Sequence, residues 1–105
     1  MKNAKLKVQA SSTTLIERNS YDVALVRIQA VDEFDNILYF CGEPLEMTAE
    51  GPIEVIGPNI ISLKGGQAGV YVKSTGESGT ALLEINNQQL GEKEIRFEVQ
   101  VERVV

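Results

Sequence analysis

The residues of this chain best suited to chemistry are acids. Asp32, Glu33 and Asp35 fall within the five residues "DEFDN", closed by Asn36, and oxygen donors so crowded could hold a calcium ion. Their spacing is not that of an EF-hand loop. Asp and Asn also build turns, because their side chains bond nearby backbone amides; a strand-to-strand turn is therefore the reading taken, with no metal site. The pairs Glu43/Glu46 and Glu92/Glu94 raise a second chemistry, since glycoside hydrolysis uses two carboxylates about 5–9.5 Å apart. In a strand, Glu92 and Glu94 project to the same polar face, and no cleft is indicated, so no catalytic residue is assigned.

Other reactive types are scarce. The chain has one cysteine, Cys41, and no histidine, so it lacks a Cys/His dyad, a Ser/His/Asp triad and the commonest zinc ligands. Cys41 is expected as a small buried or loop apolar residue. The glycines of "KGGQAG" are not followed by the Lys-Ser/Thr of a phosphate loop, nor by a helix, and read as turn residues; no cofactor is expected. Tyr39 and Phe40, in the apolar connection "NILYFCGE", are the candidate contact residues. Exposed rings could stack on sugars, but with three Tyr, three Phe and no Trp in the chain packing or contact with a neighbouring domain is favoured.

Bulk properties narrow the classes further. A length of 105 residues fits one domain, 1–105, with a single core and a radius of gyration near about 13 Å. Fifteen acids against ten bases give a net charge of −5, which repels a phosphate backbone, so nucleic acid is not an expected partner. Lys2, Lys5 and Lys7 are the densest basic group and read as a solvated strand face. No segment approaches a membrane span, and no membrane partner is expected. The lone cysteine and the lack of a signal-like apolar run favour a reducing, cytoplasmic setting.

The elements that must position these residues show a period of two. "KLKVQA", "VALVRIQAV", "PLEMTAE", "IEVI", "IISL", "AGVYVKST", "ALLEI" and "EIRFEVQVE" alternate apolar with polar positions between glycine, proline and Asx turns, as half-buried strands do. Seven or eight short strands at intervals of about ten residues predict an all-β, immunoglobulin-like antiparallel β-sandwich. Val26, Ile28, Met47, Val70, Val72, Leu83 and Phe97 are the expected core. Gly65 and Gly66 are expected to take the positive backbone angles of a tight turn.

With strands and turns in place, the order "YDVALVRIQAVDEFDN", "EGPIEVIGPN", "LKGGQAGVYVKSTGESGTALLEI" resembles the C-terminal immunoglobulin-like domain of glycoside hydrolase family 2 beta-galactosidases, over about residues 12 to 86. The block from "GPN" at 57–59 through "GGQAG" at 65–69 to "STGESG" at 74–79 is its most specific part. The strand-"D-E-x-x-N" turn alone is also similar to invasin/intimin-type adhesion repeats. The family resemblance implies a non-catalytic accessory domain, structural or substrate-orienting, excised from a larger chain. Its partners would be the other domains of a parent glycosidase, with carbohydrate as a further candidate. The family's two catalytic glutamates belong to a separate barrel domain with no counterpart motif in this sequence. The alternative is an adhesion-type or carbohydrate-binding sandwich. Asp35 stands where similar domains commonly carry glycine, which puts the turn type in question, and "ILYFCGE" is more apolar than the usual connection.

Overall fold

Alternating side chains leave one dry face on each strand, and two such faces pressed together form the core. The structure, a computed structural model, describes residues 3–102. Nine strands appear in it: β1 (Lys5–Ala10), β2 (Thr14–Arg18), β3 (Val23–Val31), β4 (Pro44–Glu50), β5 (Ile53–Ile56), β6 (Ile60–Ser62), β7 (Gln67–Ser74), β8 (Gly79–Asn87) and β9 (Gly91–Glu102). They form a four-stranded sheet ordered β1-β3-β7-β5 and a five-stranded sheet ordered β2-β9-β8-β4-β6. The molecule is long and narrow, 54 × 24 × 18 Å, so its radius of gyration of 14.8 Å exceeds the value for a round domain of this length.

Between the sheets lie Leu6, Ala24, Val26, Ile28, Ala30, Val70 and Val72 from one layer and Leu15, Leu45, Met47, Leu83, Ile85, Phe97 and Val99 from the other, all buried. Every member of the expected core is among them. Phe97, with no exposed surface, is the largest; truncation of such a ring costs about 3–5 kcal/mol. Cys41 is buried with them and is not disulfide-bonded.

The count and the pairing depart from expectation at one strand. After Ala10 the chain stays tied to β3 through Ser11, whose N–H donates to Leu25 O at 2.8 Å while its Oγ accepts from Leu25 N at 3.0 Å. It then crosses to the other sheet, where Thr13 O accepts from Glu98 N and β2 runs parallel to β9 from Thr14↔Glu98 to Arg18↔Glu102. The sandwich is therefore antiparallel everywhere except along this pair. Within β2 only Leu15 is buried, so the segment carries no repeat of apolar positions from which a strand could be read.

Two buried polar side chains are fully partnered. Ser74 Oγ donates to a Glu17 carboxylate oxygen at 2.6 Å and accepts from Asp22 N at 2.9 Å, joining β7 to the β2–β3 connection. Asn87 closes the β8–β9 hairpin by accepting from Gln89 N and Leu90 N and donating to Pro44 O at 2.7 Å. Each removes a desolvation penalty that an orphaned polar atom would impose.

Candidate interaction surface at the β3–β4 end

The connection from Val31 to Pro44 builds one end of the sandwich. A bridge between Val31 and Ile37 pinches residues 32–36 into a small loop. Asp32 is its internal staple: Oδ1 accepts from Phe34 N at 2.8 Å and Asn36 N at 2.9 Å, and Oδ2 accepts from the Asn36 side chain at 3.2 Å. The Asn36 N–H first, with Phe34 N–H and the Asn36 amide adding to it against a partial desolvation, holds the Asp32 carboxyl below the ordinary aspartate range. Asp35 adopts φ 64°, the left-handed conformation that glycine accepts freely and Asp tolerates. The Asp35 carboxylate lies 3.7 Å from Lys5 and 3.9 Å from Lys7.

The three carboxylates of the loop are consequently turned to different partners. Asp32 faces backbone amides, Asp35 faces the lysines of β1, and Glu33 accepts from Asn3 Nδ2 at 3.4 Å. Among the described residues no group of three His, Cys, Asp or Glu side chains converges on a common point.

A second turn follows at once. Cys41 N donates to Leu38 O at 2.9 Å, which throws Tyr39 and Phe40 outward, 70% and 76% exposed. The β6–β7 turn lies directly beneath: Gly66 N donates to Cys41 O at 3.0 Å, Ala30 N donates to Gly66 O at 2.8 Å, and Leu38 N donates to Ala30 O at 2.9 Å. Gly65 and Gly66 have φ of 59° and 75°, the positive angles expected of them. A Cβ on Gly66 would stand 2.4 Å from Leu38 O and 2.9 Å from its carbonyl carbon, so backbone approaches backbone at a point where only glycine fits.

This end also presents a ring beyond the two expected from the sequence. Phe34, 77% exposed, sits at the tip of the 32–36 loop. Three rings, Phe34, Tyr39 and Phe40, are thus held out from one hydrogen-bonded connection, and a shallow groove of about 420 Å³ beside Phe40, Cys41, Glu43 and Gln89 continues the surface. A phenylalanine in the middle of an Asx turn is the signal that could have found it, because the turn's own bonds leave its side chain no route inward.

The remaining acidic candidates lie elsewhere. Glu43 and Glu46 border a groove of about 350 Å³ with Ile60, Asn86 and Gln89. Glu92 and Glu94 point outward from the five-stranded sheet, as their spacing required, with Asn86 and Glu84 opposite them in register. Glu84 is lifted above the ordinary glutamate range, first by partial desolvation and then by Glu92, Glu94 and Glu50. A groove of about 700 Å³ lies at the other end between Glu17, Tyr21, Glu54, Lys73, Ser74 and Glu102. Its acids are already engaged: Glu17 by Ser74, Glu54 by Lys73 at 3.0 Å, and Glu102 by Arg18 at 2.6 Å.

Comparison with known proteins gives this surface its context. No protein-family model matches the chain. Over 90 residues it is 33% identical to a beta-galactosidase of Rhizobium radiobacter, covering 86% of this chain and 65% of that protein. Over 72 residues it is 33% identical to a beta-galactosidase of Thermoanaerobacter pseudethanolicus, covering 69% of this chain and 10% of that protein. In fold it superimposes on a glycosyl hydrolase family 2 member from Bacteroides cellulosilyticus with a TM-score of 0.85, at 16% identity, over 91% of this chain and 14% of the other. A beta-glucuronidase from glycoside hydrolase family 2 gives a TM-score of 0.84 at 17% identity, over 96% of this chain and 12% of the other. The chain spans less than two thirds of the first relative and only a small part of the others. It is similar in sequence to a segment of beta-galactosidases, and it shares a β-sandwich fold with a small part of two family 2 glycoside hydrolases.

Proposed function

We propose that this domain serves a beta-galactosidase-like glycoside hydrolase as a non-catalytic accessory unit, docking on neighbouring domains through the ring-bearing β3–β4 end. The observation that carries this reading is the trio Phe34, Tyr39 and Phe40, exposed together on a connection fixed from beneath by Asp32 and Gly66. Exposed rings held on a hydrogen-bonded connection favour protein contact over solvation. Support also comes from the small share of each longer relative that the chain spans, since contacts between domains of one chain typically cover about 600–1,500 Å².

The test is made in the full-length glycosidase. Changing Phe34, Tyr39 and Phe40 to Ser should lower its melting temperature or raise KM while kcat changes little, because an orienting domain acts on binding and assembly rather than on bond breaking. A variant indistinguishable from the parent in all three would overturn the docking surface. Loss of kcat with KM preserved would overturn the non-catalytic assignment.

A further inference from the structure

The two outer sheet faces of this sandwich differ sharply in charge. Alternation opposite the buried positions turns Glu46, Glu50, Glu84, Glu92, Glu94, Glu98 and Glu102 outward on the five-stranded sheet, relieved by Arg18 and Arg96. The four-stranded sheet turns outward Lys5, Lys7, Arg27 and Lys73, with Glu54 as its own acid and Asp35 leaning over the two lysines. A chain of net charge −5 thus keeps one basic face.

That basic face also carries an apolar patch. Leu25, Tyr71 and Ile56 stand in one cross-strand row over β3, β7 and β5, with Val23 beside them. Tyr71 is 52% and Ile56 46% exposed. Gly69, opposite Arg27, adds a flat spot with no side chain. Lys73 sits over the Tyr21 ring at 4.9 Å and pairs with Glu54, whereas Arg27 makes no ion pair among the described residues. An apolar row edged by an unneutralised guanidinium has the composition of an interface core with its rim.

We infer that this face is a second docking surface, covered by another domain of the same chain that presents apolar side chains within an acidic rim, with a carboxylate meeting Arg27. The inference rests on the accessory-domain reading and extends it: the domain is gripped at its end and on its basic sheet, and so bridges two neighbours or two parts of one. A second copy fits less well. Patch against patch would oppose cations to cations, and patch against the acidic sheet would meet mostly carboxylates and would not close into a symmetric assembly.

Hydroxyl-radical footprinting of the full-length glycosidase, read by mass spectrometry, tests both surfaces separately. Tyr71 should be protected in the intact chain. Arg27→Glu, an exposed change, should raise its modification by about threefold or more, the scale expected for losing one rim charge; Arg27→Lys should retain most of the protection, and Phe34, Tyr39 and Phe40 should be unaffected. Tyr71 labelled as freely as an exposed tyrosine, with Tyr39 and Phe40 protected, would overturn this inference alone. Tyr71, Tyr39 and Phe40 all freely labelled would overturn both docking surfaces. Protection of Tyr71 that survives Arg27→Glu would exclude the acidic rim and overturn the partner chemistry.

Discussion

Gly66 shows how a single residue commits a surface. Its positive φ alone would make a β-branched replacement costly, and the Leu38 carbonyl at 2.4 Å from its virtual Cβ means that the backbone under Tyr39 and Phe40 must move as well. Gly66→Val should therefore destabilise by about 3 kcal/mol, as strain and overpacking combine, and lower the melting midpoint by about 15 °C for a domain of this size. A thermal melt checks the shift, and a midpoint within a degree of the parent would refute the close packing. Ser74 supplies a milder case. Ser74→Ala strips the bond from Asp22 N–H and the bond to Glu17, and should cost about 1–3 kcal/mol because a half-buried amide loses its acceptor; denaturant titration measures it. The glycine pair was legible as a turn from its doublet alone. What the turn supports was not, because the contact between Gly66 and Leu38 joins positions far apart in the chain.

Strands were legible where two or more apolar positions recur, as in β3, β8 and β9, whose alternation maps directly onto burial. β2 fails that test with one buried residue, and its parallel partner lies over eighty positions along the chain at β9, so neither its existence nor its direction is a local property. Sheet faces show the same limit: alternation says which residues point outward, but only the register reveals that Glu84 stands opposite Glu94 and next to Glu50 and Glu92. The crowding has a consequence in pH. Because the folded pKa of Glu84 is raised, the native state holds a proton that the unfolded chain has released between the ordinary glutamate pKa and the raised one. Stability contributed by this site therefore falls as pH rises through that window, and the repulsion is fully present above it. Glu84→Gln should raise the melting temperature at neutral pH and lose that advantage on acidification below the window. A series of melts against pH reads the difference, and a constant offset at every pH would show that charge at Glu84 is not its cause.

At the scale of the whole molecule, the distribution of acids bears on activity. Hydrolysis of a glycoside needs two carboxylates facing each other across a cleft, about 5–9.5 Å apart, with room for the attacking water, in a pocket that encloses the sugar. In this sandwich Glu92 and Glu94 share an open sheet face with five further glutamates, and Glu43 and Glu46 border a groove of about 350 Å³; the acids of the groove at the other end are engaged by Ser74, Lys73 and Arg18. The interior between the sheets is filled by Phe97, Met47, Leu83 and their neighbours. The 105 residues alone should accordingly unfold in one cooperative step, with a heat-capacity change of about 1.2–1.5 kcal/mol/K, and should release no chromophore from a nitrophenyl beta-galactoside. Calorimetry and a prolonged assay of the purified domain measure the two halves of this expectation. Turnover abolished by changing one glutamate, Glu43 or Glu46 first, would overturn the proposed accessory role; a broad, multistep melt would mean that the sandwich depends on the contacts proposed at its ring-bearing end and basic sheet for its own integrity.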